Sequence, residues 1–311
     1  MSTIKVNSIE SSTGGGVAAR ITSINGGQIS NKNLIINGDL KIWARGTSTT
    51  TSGAYQADRF WVANQGSYDL DASAPDGFFR SIKTTYRSTD IAIGQPILLQ
   101  LAGNPSPFVV GDKVTLSFYA KVDSGTETAM AHLEGRISRF NNTNKTVFPT
   151  ASGNDADRNF TMTTSWQRFS FTFTVPTLHS SNTILHMEVN SVSRTAYFTG
   201  FQVEKGDVMS DFEFLPQSVV RNQCSYFFHT GEFVLLAFYN GGNFGGGLQN
   251  VYFPQPMRAV PSVTVTMGGG VGSVNTFAIA PKQASVTIWH GSSASTGNYR
   301  TLFYNADAEI A

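Results

Sequence analysis

The sequence predicts an all-β protein, two antiparallel sandwiches in tandem behind an extended arm. Three observations carry this. Aromatic residues make up 12% of the chain against only 14% charged residues, and aromatic side chains suit the pleated, half-buried surface of a sheet. Several short runs alternate apolar and polar residues with a period of two. Clusters of Gly, Pro, Asn and Ser separate those runs, and helical periodicity is confined to one short stretch. A length of 311 residues suggests two domains.

Residues 1–32 stand apart. Thr3 to Ile9 alternates like one strand, Gly14-Gly15-Gly16 breaks it, and the segment is too poor in apolar residues to bury a core. It is either a disordered tail or an anchoring arm that orders against a partner or sister chains. Residues 33–217 carry the longer β pattern. Asn33 to Ile36 reads as a strand, Asn37-Gly38-Asp39 as a tight turn, and Leu40 to Gly46 as an aromatic return. Strands are expected at 114–122, 168–175, 184–189 and 196–203. In the second of these Phe169, Phe171, Phe173 and Val175 share one face. Trp166 opens that strand and reads as core.

Residues 218–311 form a second, smaller sandwich. It begins with a helix over 218–228, with Val219, Cys224, Phe227 and Phe228 as its apolar positions. Strands follow at 233–239, 249–254, 261–266, 285–290 and 299–306. The glycine runs Gly241-Gly242, Gly245-Gly246-Gly247 and Gly268-Gly269-Gly270 are expected at loop tips.

The composition excludes several functions. A net charge of +1 gives no footprint for nucleic acid. No stretch is long and apolar enough to predict a membrane span, and the N-terminus has no apolar signal region. A single cysteine permits no intramolecular disulfide and suits synthesis in a reducing cytoplasm. No pair of carboxylates sits in a glycosidase-like motif. None of the five His has zinc-ligand spacing, no Ser sits in G-x-S-x-G, and the glycine runs lack the strand-to-helix setting of a phosphate loop. The chain therefore reads as a binding or structural protein, not an enzyme.

Several motifs carry a family resemblance across roughly 180 residues. Asn33 to Gly46, followed by Tyr55-Gln56-Ala57-Asp58-Arg59-Phe60-Trp61, resembles the opening of the jelly-roll, carbohydrate-binding-module-like domains of bacteriophage tail fibres. Leu116 to Lys121, Ser165 to Pro176, Phe201 to Gly206 and Phe212-Glu213-Phe214 resemble later strands of that domain. Arg221 to Phe227 resembles the connector that follows it, and Phe253 to Pro261 a stretch of phage C-terminal sandwiches. The resemblance implies a jelly roll over 33–217 and a virion protein made in the host cytoplasm. Residues 1–32 would attach to other tail proteins, and the chain would be a homo-oligomer, by analogy a trimer. Its ligand would be a host surface glycan such as lipopolysaccharide. Two other readings stay open: a purely structural tail protein, or the carbohydrate-binding part of a bacterial polysaccharide-degrading system.

The candidate site residues follow. Sugar binding needs aromatic faces beside planar polar side chains. Trp289, His290, Tyr299 and Arg300 flank the polar loop 292–298 and either line a distal receptor site or pack at strand ends. Trp43 and Trp61 are either core residues or sugar platforms. Asp58 and Arg59 read as an ion pair locking the loop to the sheet. By resemblance, Asp39 and Glu204 could hold a structural calcium; otherwise Asn37-Gly38-Asp39 is simply a turn.

Overall fold

A computed structural model describes residues 23–24, 27–28, 32–63, 66–86, 91–98, 108–137, 143–148, 159–236, 239–240, 243–244, 247–270, 274–292 and 299–309. The expected strand at 3–9 lies outside them. A two-stranded ribbon, β1 (Ser23–Ile24) and β2 (Gly27–Gln28), comes first. Next follow β3 (Ser48–Thr49), β4 (Trp61–Ala63), β5 (Gly66–Asp71), β6 (Ser81–Tyr86), β7 (Ile91–Leu98), β8 (Lys113–Val122), β9 (Glu127–Arg136), β10 (Thr146–Phe148), β11 (Asn159–Met162), β12 (Gln167–Thr174), β13 (Ile184–Val192) and β14 (Ala196–Lys205).

These twelve strands form two antiparallel sheets. One has the order β12-β8-β14-β6-β5-β3. The other has the order β10-β9-β13-β7-β4, with β11 also paired to β9. The chain passes from one sheet to the other between β3 and β4, β4 and β5, β6 and β7, β7 and β8, β8 and β9, β11 and β12, β12 and β13, and β13 and β14. That repeated crossing is the jelly-roll arrangement. The period-two pattern works as expected: Val114, Leu116, Phe118, Ala120 and Val122 all turn inward and are buried. Phe118 is the hub of the core, with the rings of Phe160, Phe169, Phe171, Phe198 and Phe201 at 5.1–6.4 Å.

After the jelly roll come α1 (Gln217–Ser225), β15 (Phe228–Leu236), β16 (Tyr239–Asn240), β17 (Asn243–Phe244), β18 (Gly247–Tyr252), β19 (Ser262–Gly270), β20 (Val274–Pro281), β21 (Ser285–Ser292) and β22 (Tyr299–Asp307). Two three-stranded sheets, β15-β22-β19 and β18-β21-β20, enclose a small core of Phe253, Met257, Val286, Ile288, Tyr304, Ala306 and Ala308.

Four local expectations need correction. Residues 33–36 form no strand; one backbone hydrogen bond, Leu34 N–H to the Val203 carbonyl at 2.9 Å, ties them to β14. The helix ends at Ser225 and buries Val220 with Cys224, one turn apart, leaving Val219 exposed. Phe227 and Phe228 have by then left the helix, and Phe228 opens β15. Gly268 to Gly270 belong to β19, paired with β22, and not to a loop tip; at Gly268 a Cβ would stand 2.6 Å from the Phe303 ring.

Candidate functional site

The opening motif is a structural knot. The Asn37 amide donates to the carbonyls of Ile42 (2.9 Å) and Asp58 (3.1 Å), and its oxygen accepts from Ile42 N–H (3.0 Å). Two turns thus face each other, closed by Leu40 N–H to Asn37 O and Phe60 N–H to Ala57 O, both 2.8 Å. Gly38 is required at this place: a Cβ there would lie 2.1 Å from the Phe201 carbonyl oxygen.

Asp58 and Arg59 do not pair with each other. An Asp58 oxygen accepts from Ala44 N–H at 2.6 Å, while its other oxygen is buried without a partner. Burial raises its pKa, against the hydrogen bond from Ala44 and the charge of Arg45. Arg59 turns the other way at φ 74°. It forms an ion pair with Glu309, donates to the Pro96 carbonyl at 2.7 Å and lies 3.5 Å from the Phe227 ring centroid. Arg45 adds ion pairs to Asp307 (2.7 Å) and Glu309 (3.2 Å) and covers the Phe228 ring at 3.7 Å. The left-handed backbone at Arg59 carries its side chain away from Asp58, and its partner Glu309 comes from the second sandwich.

The two tryptophans of the motif are occupied by protein. Trp61 is 6% exposed. Its indole stacks on His186 with ring centroids 5.1 Å apart and its N–H meets the His186 ring nitrogen. Trp43 is half-buried against the core and donates to the Leu40 carbonyl at 2.6 Å. Asp39 and Glu204 do not fit a calcium cradle. Lys41 sits 2.6 Å from Asp39, and Glu204 accepts from Gln202 (2.9 Å) and the Ser210 N–H (3.0 Å). Trp289 and His290 lie near the end of β21, across from Leu248 and Gly247; Tyr299 and Arg300 open β22, across from Leu236 and Leu235. One connection joins the two pairs, which places all four toward one end of the second sandwich. Their side chains lie outside the described residues.

Sequence reasoning missed a polar groove on the outer face of the β10-β9-β13-β7-β4 sheet. It encloses about 280 Å³ and is lined by Met130, His132, Glu134 and Arg136 from β9, Lys145 and Val147 at β10, and Glu188 and Asn190 from β13. Register explains the grouping: His132 stands directly across from Glu188 and Met130 from Asn190. Their sequence neighbours Ala131, Leu133, Met187 and Val189 fill the core on the opposite face. Glu134 is the electrostatic centre. Arg136 pairs with it, Lys145 lies at 2.9 Å and His132 at 3.1 Å. Burial alone would raise the Glu134 pKa, but the hydrogen bond and charge of His132, with Arg136 and Lys145, hold it well below the usual carboxylate range. Asn190 donates to Glu188 at 2.8 Å.

Among the described residues, His132, Glu134 and Glu188 are the one group of three that brings metal-capable atoms within 4.8 Å of one another. A cation entering there would have to displace Arg136 and Lys145 from Glu134. The arrangement therefore presents planar, oriented donors and acceptors of nearly balanced charge. Such a surface suits hydroxyl-rich ligands better than ions. The alternating His-x-Glu-x-Arg of 132–136 beside His-x-Glu-x-Asn of 186–190 is the sequence signal that could have revealed it.

No family model matches the chain, and no curated protein matches it. Solved structures similar to it include a CBM4 structure (18% identity, 54% of this chain and 97% of the other, TM-score 0.35). Another is the CBM22-1 xylan-binding domain of Paenibacillus barcinonensis Xyn10C (13% identity, 60% and 100%, TM-score 0.36). A third is the enzymatically active domain of tailspike protein 4 from bacteriophage CBA120 (14% identity, 56% and 21%, TM-score 0.36).

Proposed function

We propose that the protein is a non-catalytic, glycan-binding virion adhesin of the phage tail-fibre type, and that the groove around Glu134 is its saccharide site. The groove carries the reading. Its side chains are fixed by sheet register and by each other, so few rotamers are lost when they hydrogen-bond a sugar. The tail-fibre role, the host glycan such as lipopolysaccharide, the attachment through residues 1–32 and the trimer rest on the resemblance of the 33–214 motifs to phage tail fibres. Repetition in an oligomer would raise weak single-site binding by ~10²–10⁴.

A second contact region at Trp289, His290, Tyr299 and Arg300 is favoured by their gathering at one end of the second sandwich, where loops of a rigid scaffold carry binding residues. A glycan array probed with the full chain, followed by competition against intact phage for host cells, tests the proposal. Asn190→Ala and Glu188→Gln should lose array signal while melting near wild type. Trp289→Ala should lose competition if the second region contributes. A chain that binds no glycan, or groove variants that bind as well as wild type, would refute the groove as the site.

A further inference from the structure

We propose that the outer face of the opposite sheet, β12-β8-β14-β6-β5-β3, is a second saccharide site, selective for sugars bearing carboxylate or phosphate. The inference rests on the reading of the chain as a glycan-binding protein and adds a ligand class and a location to it. Tyr197 of β14 lies directly between Lys83 of β6 and Lys121 of β8 in the register of the sheet. The Lys121 ammonium is 4.8 Å from the Tyr197 ring centroid and 5.3 Å from that of Trp166, and the Lys83 ammonium is 5.9 Å from Tyr197. Trp166 meets Tyr197 nearly edge-on at 6.4 Å. Neither lysine takes part in an ion pair among the described residues. Asp69, across from Lys83, is held instead by the hydroxyls of Ser48 and Ser67.

The face continues in the same style. Arg168 covers the Tyr119 ring at 5.6 Å, and Phe78 lies 5.0–5.2 Å from Tyr119, Phe212 and Phe214. Phe79 beside them is 85% exposed. Trp166, expected as core, is thus a half-exposed ring on the outside of the sandwich.

Rings and ammonium groups side by side on one sheet face suit one ligand chemistry. The rings offer faces to sugar C–H groups. They also hold the lysines in place, so less side-chain entropy is lost on binding. The two ammonium groups, partly desolvated and without a carboxylate, gain a partner from an anionic sugar and none from a neutral one. A polyanion without sugar rings would satisfy the charges and leave the aromatic faces empty.

The test uses the full chain, wild type, Lys83→Gln/Lys121→Gln and Trp166→Ala, in affinity electrophoresis. The probes are polygalacturonate, a phosphomannan, fully methyl-esterified polygalacturonate and polyglutamate. Wild type should bind polygalacturonate or phosphomannan in a salt-weakened manner, whichever anion is preferred showing the source of the charge. Both variants should bind the preferred probe at least about tenfold more weakly, which corresponds to about 1.4 kcal/mol. Lys83→Arg/Lys121→Arg should retain binding, which separates lost charge from lost folding. Equal binding of the neutral ester or of polyglutamate, no binding to either anionic glycan, or unchanged binding by the variants would overturn the inference. The groove variant Asn190→Ala distinguishes the two readings. If it alone loses glycans, the second face fails while the adhesin reading stands. If wild type binds neither these probes nor the array, both fail.

Discussion

Arg59→Ala is expected to be among the most damaging single changes in the jelly roll. The side chain is 2% exposed, and Glu309, its partner, is 5% exposed. Removing the guanidinium strips Glu309 of one of its two cations, leaves the Pro96 carbonyl without its donor and removes the cation over Phe227. Breaking a buried ion pair from one side costs about 3–5 kcal/mol. At about 2–4 °C per kcal/mol for a protein of this size, the melting temperature should fall by about 6–20 °C. A double-mutant cycle read by chemical denaturation identifies the partner. Arg59→Ala and Glu309→Gln should couple by about 1.5 kcal/mol or more, whereas Arg59→Ala and Asp58→Asn should add within about 0.5 kcal/mol. The reasoning is refuted if Arg59→Ala costs less than about 1 kcal/mol, within the range of an exposed pair, or if the coupling appears with Asp58.

Three further outcomes are expected. Gly38→Ala forces a Cβ onto the Phe201 carbonyl and should cost about 3 kcal/mol, measured by urea denaturation. Cys224 is buried and its thiol pKa is raised by that burial, so it should react with a thiol reagent only at the rate of unfolding; a fast reaction in native buffer would refute the packing of α1. The depressed Glu134 pKa implies stability that is full above the ordinary carboxylate range, near pH ~4.3, and is lost as pH falls below it. Glu134→Gln should flatten that acid limb in melts taken across pH.

The sequence showed the sheets better than the sites. Period-two alternation located β8, β12, β13 and β14 because one face of each is buried and the other is wet or polar. It missed β20, whose Val274–Pro281 has a less regular pattern beside glycine-rich chain. Both candidate faces were hidden for one reason: each is assembled across strands distant in sequence. His132 and Glu188 meet through the pairing of β9 with β13, and Lys83, Tyr197 and Lys121 meet through β6, β14 and β8. The Asp58-Arg59 dipeptide misled in the same way. Adjacency in sequence suggested a pair, while backbone direction sent Arg59 to a residue 250 positions away.

That distance has a consequence for how the molecule is made. The socket around Arg45 and Arg59 is among the first parts of the jelly roll to emerge during synthesis, and Glu309 follows Arg59 by 250 residues. At roughly 5–20 residues per second of translation, the two arginines wait about ten seconds or more without their carboxylate. During that interval the jelly roll can collapse around its phenylalanines and close its opening turns, while both arginines stay without their carboxylate. Residue 309 therefore neutralises this socket late. A ribosome-bound chain halted before residue 309 should be cut by protease at the 37–60 turns more readily than one extended past it.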